Sequence, residues 1–163
     1  GFDNDNIPHV RVEHRVVSAG PTIMDEIANT AFYYGALEWM VMNEKEYEKE
    51  IEHAKAKLNF YEGARFGLNA LIDWTGDRKM KIDKLILEEL LPGAKEGLRS
   101  LGINEPDIKQ YLGIIEARTR TQRTGASWQK SFINNCESDM HAMLEAYYNN
   151  QQSNLPVHDW KTS

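Results

Sequence analysis

Ile27-Ala28-Asn29-Thr30-Ala31-Phe32-Tyr33-Tyr34-Gly35-Ala36-Leu37-Glu38-Trp39-Met40-Val41-Met42 is the longest apolar run of the chain, and its reading decides the fold class. A membrane helix needs about 20 predominantly apolar residues; this run is shorter and polar at its end, so it reads as a buried helix. Its start is well marked. Gly20-Pro21 breaks what precedes it, Thr22 supplies a cap, and Asp25 completes a variant of the capping box. An apolar helix of this kind, with few polar interruptions around its circumference, is expected at the centre of a mainly helical fold. Asn29 and Thr30 are its interruptions and are expected to make internal hydrogen bonds.

Downstream, a second helix is expected over 44–70. Its first half is densely charged (Glu44, Lys45, Glu46, Glu48, Lys49, Glu50, Glu52), with pairs at helical spacing. Its apolar stripe runs Tyr47, Ile51, Ala54, Leu58, Tyr61, then Arg65, then Leu68 and Ile72. An arginine on a core-facing stripe needs a reason. Gly63 and Gly67 on either side, each costing a helix about 1 kcal/mol, would let a ligand or another backbone approach. The plainer alternative is that Arg65 snorkels to solvent or meets a carboxylate. Residues 73–77 read as a turn and 79–82 as extended. Asp83 caps a helix carrying Leu85 to Leu91, which Pro92-Gly93 should break or kink before it runs on to Gly102. Asn104-Glu105-Pro106-Asp107 opens the next helix.

That helix fades into Arg118-Thr119-Arg120-Thr121-Gln122-Arg123-Thr124-Gly125-Ala126-Ser127-Trp128-Gln129. Arginines alternate with polar residues ahead of a new helix start, whose free N–H groups favour anions. The segment reads either as a phosphate or carboxylate cradle or as a solvated turn; it has no Walker spacing. A final helix is expected over 127–151, with Trp128, Phe132, Cys136, Met140, Met143 and Tyr147 on one stripe. Cys136 there reads as an inert small hydrophobe. The tail 152–163 carries Trp160, which should dock on the body or on a partner.

Upstream, His9-Val10-Arg11-Val12-Glu13-His14-Arg15-Val16-Val17 reads as a strand. Side chains alternate between faces, so Arg11, Glu13 and Arg15 share one, and Val10, Val12, His14 and Val16 the other. A carboxylate between two guanidiniums suits an anion held with a divalent cation, the carboxylate taking the metal and the arginines taking phosphate oxygens. A solvated strand face with a surface ion pair is the bland alternative.

With 163 residues, 41% hydrophobic and 27% charged, the chain is expected to form a single domain over 1–163. Five or six helices should pack around the 27–42 helix, with an N-terminal strand or short hairpin. A net charge of −6 argues against nucleic-acid binding. One cysteine excludes an internal disulfide and, with no membrane span or signal segment in view, points to the cytoplasm. The five histidines show no metal-ligand spacing, and neither a nucleophile elbow nor a Cys-x-x-Cys occurs.

The 8–15 strand followed by Ala19-Gly20-Pro21-Thr22 resembles the Glu-x-Arg strand of the glutamate–cysteine ligase and carboxylate–amine ligase family. Further stretches fall in matching order. Asn59-Phe60-Tyr61-Glu62-Gly63-Ala64-Arg65-Phe66-Gly67 is similar to the family's Asn…Ala-x-Arg-x-Gly segment, and Leu87-Glu88-Glu89-Leu90-Leu91-Pro92 to its leucine-rich helix. Arg123-Thr124-Gly125-Ala126-Ser127-Trp128-Gln129 resembles its Thr-Gly-Ala-x-x-Gln motif, and Pro156-Val157-His158-Asp159-Trp160 a closing motif of one bacterial branch.

The resemblance implies ATP-dependent joining of a carboxylate, such as an amino acid, to an amine through an acyl phosphate. It implies Glu13 as a magnesium ligand and Arg15 as a contact to the transferring phosphate, with Arg65 and Arg123 as further anion contacts and Arg11 beside them on the nucleotide. Family members are more than twice this length and place several acidic metal ligands on an antiparallel sheet. The chain is therefore expected to be the C-terminal, mostly helical portion of an α+β ligase, inactive in isolation. Unpaired strand edges and the tail tryptophan leave room for a homodimer. The competing expectation is a non-catalytic helical module that binds an anion or acidic partner through an Arg-rich face.

Overall fold

The computed structural model describes residues 1–10, 19–44, 46–135 and 139–161. It is mainly helical with one short antiparallel hairpin, and no helix among the described residues is long and apolar enough to cross a membrane. The expected strand at 9–17 falls largely on residues 11–18, outside the described residues. The hairpin that is described lies in mid-chain.

Helix α1 (Ile23–Met42) starts where Thr22 accepts a hydrogen bond from the Asp25 amide at 3.2 Å, a cap worth about 1 kcal/mol. It packs on α5 (Leu91–Ser100) and α6 (Glu105–Thr121). The contact is made by its small residues. A Cβ on Gly35 would lie 2.5 Å from the Ala94 carbonyl oxygen, and one on Gly97 would lie 2.1 Å from that of Gly35. Gly93 lets the Trp39 indole sit against the same backbone. Ala28, Leu91, Ala94, Leu98, Ile108, Leu112 and Ile115 complete this core. Met24, Phe32 and Trp39 also face this core, whereas Ile23, Ile27, Tyr34, Leu37 and Val41 are exposed. The helix expected at the centre thus buries its small-residue face and shows an apolar one.

The charged stretch after it does not form one helix. Tyr47–Glu50 makes a single turn (α2), residues 51 and 52 are extended, and α3 spans His53–Phe66. Glu46 with Glu50, and Glu48 with Glu52, would be like-charge neighbours one turn apart in a continuous helix. Gly67, at φ +56°, ends α3. Its inward face is polar: Asn59 donates to the Asp73 carbonyl at 2.6 Å and accepts from the Asp73 amide at 2.9 Å. That pair pins strand β1 (Leu71–Trp74), which runs antiparallel to β2 (Arg78–Lys81) across the 75–77 turn. The predicted stripe residues Leu58, Tyr61 and Arg65 are exposed.

Ile82–Leu85 (α4) runs into a π-helical turn, Ile86–Leu90, and on into α5 without a break. The Leu91 amide reaches back to the Ile86 carbonyl. This wider turn accommodates Pro92, which lacks an N–H and crowds the carbonyl four residues earlier. Asn104 caps α6 by accepting from the Asp107 amide at 3.0 Å. The expected last helix is two, α7 (Gly125–Asn135) and α8 (Met140–Gln152). Asp139 caps the second by accepting from the His141 and Ala142 amides. Cys136, on the predicted stripe, lies outside the described residues. Trp128, Phe132, Met143, Val157 and Trp160 form a second core under the tail.

Candidate functional site

Two stretches singled out in the sequence meet in space. Arg65, at the end of α3, and Thr124, Ala126 and Ser127, at the start of α7, line one cavity of about 250 Å³, together with Asn69, Gln122 and Lys130. Among the described residues no acidic side chain lines it. Each element supplies its residue for a local reason. Gly67 stops α3 just beyond Arg65, and the Arg65 guanidinium rests 5.1 Å from the centroid of the Phe66 ring, a cation–π contact that keeps the charge at the surface. Gln122, left-handed at φ +56°, ends α6 and turns the chain.

Thr124 then opens α7 with a reciprocal pair of hydrogen bonds. Its amide donates to Ser127 Oγ at 2.7 Å, and the Ser127 amide donates to Thr124 Oγ1 at 3.2 Å. The amides of Gly125 and Ala126 stand in the first helical turn, where no preceding turn supplies carbonyls. Lys130 lies one turn beyond Ser127, on the same face. Two cations, Arg65 and Lys130, and the positive end of a helix dipole therefore line one concavity, while the Gln122 side-chain amide donates to Asp83 at 3.1 Å and the Ser127 hydroxyl to the Thr124 carbonyl at 2.9 Å. Such a set can hold a phosphate or carboxylate group.

The three arginines of the 118–123 segment do not build this cavity. Arg118 turns inward, donates to Asn29 Oδ1 at 2.6 Å, and faces Asp25 Oδ1 at 3.6 Å. Burial pulls its guanidinium below the ordinary arginine range, while the Asp25 charge opposes that shift. Arg120 pairs with Glu116 on the surface of α6 at 2.9 Å. Arg123 donates to the Trp160 carbonyl. Lys130 was missed in the sequence because a lone lysine on a helix carries no signal until its face is known. The spacing from the Thr-Gly pair was the available clue.

Arg11, Glu13 and Arg15 lie outside the described residues. Among the described residues no group of three or more histidine, cysteine or carboxylate side chains could hold a metal ion. A scan against protein-family models and searches of curated proteins and of solved structures find no match.

Proposed function

We propose that this chain is part of an ATP-dependent carboxylate–amine ligase and supplies one anion-holding wall of its active site. The observation that carries the reading is the shared cavity: Arg65 and Thr124, Ala126 and Ser127, far apart in sequence and both within stretches that carry the same resemblance, line it together. In such a reaction the carboxylate oxygen takes the γ-phosphoryl group of ATP. The amine nitrogen then attacks the acyl carbon and expels phosphate, losing a proton. Both steps develop charge on phosphoryl oxygens, which fixed cations and helix N–H groups stabilise.

Arg65 and Lys130 serve here as the anion contacts of the described wall. Arg15 and Arg11 would add guanidiniums from the preceding strand, and Glu13 would be a ligand to magnesium, which neutralises phosphate charge when bound. The Arg-rich face needed for a non-catalytic module binding an acidic partner draws less support, because Arg118, Arg120 and Arg123 are turned to acceptors within the chain.

Titration of ATP into the complete protein, with and without magnesium, tests the reading. Magnesium-dependent binding that is lost in Glu13→Gln is the expected result. Binding indifferent to magnesium and to Glu13 would instead favour a simple anion-binding module.

A further inference from the structure

The C-terminal segment folds back over the bundle and is tied to it by directed bonds. The Val157 amide donates to Asp25 Oδ2 at 3.0 Å, and the Trp128 indole N–H donates to the Lys161 carbonyl at 3.0 Å. Arg123 donates to the Trp160 carbonyl. Trp160 closes the segment on itself, its indole N–H reaching the Leu155 carbonyl at 2.7 Å. Its ring is 2% exposed and stands edge-on to Trp128 and Tyr147, with centroids 5.3 and 5.1 Å away.

Two of these donors bracket the cavity's helix start. Arg123 immediately precedes Thr124, and Trp128 immediately follows Ser127. On the other side a Cβ on Gly125 would lie 3.0 Å from Pro21, so the turn is confined there too. Between these anchors the turn follows Gln122, held in a left-handed conformation that non-glycine residues disfavour. Connections with few buried contacts are among the parts of a fold that open locally most readily, so outside anchors add to the hold of the Thr124–Ser127 pair.

We propose that segment 155–161 is a positioning element for the anion cavity, fixing the first turn of α7 through Arg123 and Trp128. It rests on the anion reading given above for the identity of the ligand, and on the tail contacts alone for the positioning. Arg123 is then a positioning residue whose guanidinium is committed to the tail carbonyl, and the ligand contacts are Arg65 and Lys130.

The test uses the whole chain with Trp128→Phe, which keeps the ring and removes the N–H, with Arg123→Ala, and with both. Amide hydrogen exchange without ligand is read at Thr124, Ser127 and Trp128 and, as a control, through α5; affinity for inorganic phosphate is read by calorimetry. The expected result is at least tenfold faster exchange at the α7 start, unchanged exchange in α5, and about tenfold weaker phosphate binding. The double variant should lose little more than the larger single loss, because both changes release the same segment. Unchanged exchange at the α7 start would overturn the proposal, whatever happens to affinity. So would exchange accelerated equally through α5, which would make the tail a general stabiliser. Additive losses of affinity would overturn the role of Arg123 by showing that it touches the ligand. If the unaltered chain binds no phosphate, the anion reading falls, and exchange still decides whether the tail sets the turn.

Discussion

Asp25 is fully buried and gathers three parts of the chain. Its Oδ2 accepts from the Thr22 hydroxyl at 2.9 Å and from the Val157 amide at 3.0 Å, and its Oδ1 faces Arg118. The capping role was legible in sequence, because Thr22 and Asp25 stand at the spacing that closes a helix start. The pairing with Arg118 and the tail was not, since nothing local marks which distant cation meets a buried carboxylate. Removing one partner of a buried pair leaves the other charge uncompensated, at a cost of about 3–5 kcal/mol. Asp25→Ala should accordingly lower unfolding stability by about that amount in chemical denaturation; a loss below about 1 kcal/mol would mean the pair is solvated. For Arg65 the sequence left two readings open, a ligand contact on the stripe or a side chain that snorkels to solvent; α3 turns Asn59 toward the hairpin and leaves Arg65 exposed.

Between elements, the α1–α5 crossing depends on the absence of side chains. Gly97→Ala would press a methyl group into the Gly35 carbonyl, and prying the helices apart should cost about 1–3 kcal/mol. Gly113, on α6, has open space around its missing Cβ, and Gly113→Ala should stabilise by up to about 1 kcal/mol. Denaturation midpoints that moved the same way in both variants would contradict the crossing. The starts of α1 and α6 were well read because caps at Thr22 and Asn104 are local chemistry, whereas Asp83 is not a cap: α4 begins one residue earlier, after Lys81, with no side-chain cap. Helix interiors were read less well. The like-charge run ahead of α3 and the Asp139 cap of α8 each split a segment whose periodicity looked continuous. The tail's packing carries a pH signature. Burial, with the Asp25 charge, raises the Tyr147 hydroxyl above its ordinary value near 10. Between that value and the raised one the folded state keeps a proton the unfolded state has lost. This contribution is therefore complete below about pH 10 and declines as pH rises through the folded value. Tyr147→Phe should flatten the alkaline fall of the melting temperature, and an unchanged fall would show that Tyr147 does not contribute.

At the scale of the molecule, fold class followed from one apolar run and its flanking breaks, whereas the site required three dimensions. Arg65 and the Thr-Gly start were each noticed for local reasons, an arginine out of pattern and an anion-friendly helix end. Their meeting in one cavity, the recruitment of Lys130 and the diversion of the neighbouring arginines depend on how α3, α6 and α7 pack. A charge-assisted hydrogen bond contributes about 1.5–3 kcal/mol, equivalent to roughly tenfold or more in affinity. The most direct measurement is an NMR titration of inorganic phosphate into isotopically labelled chain and into Arg65→Ala, following the amides of Gly125, Ala126 and Ser127. Saturable shifts confined to those amides and neighbours of Arg65, with affinity at least about tenfold weaker in the variant, are predicted. Absence of saturable shifts at the α7 start, or equal affinity in Arg65→Ala, would contradict an anion site there.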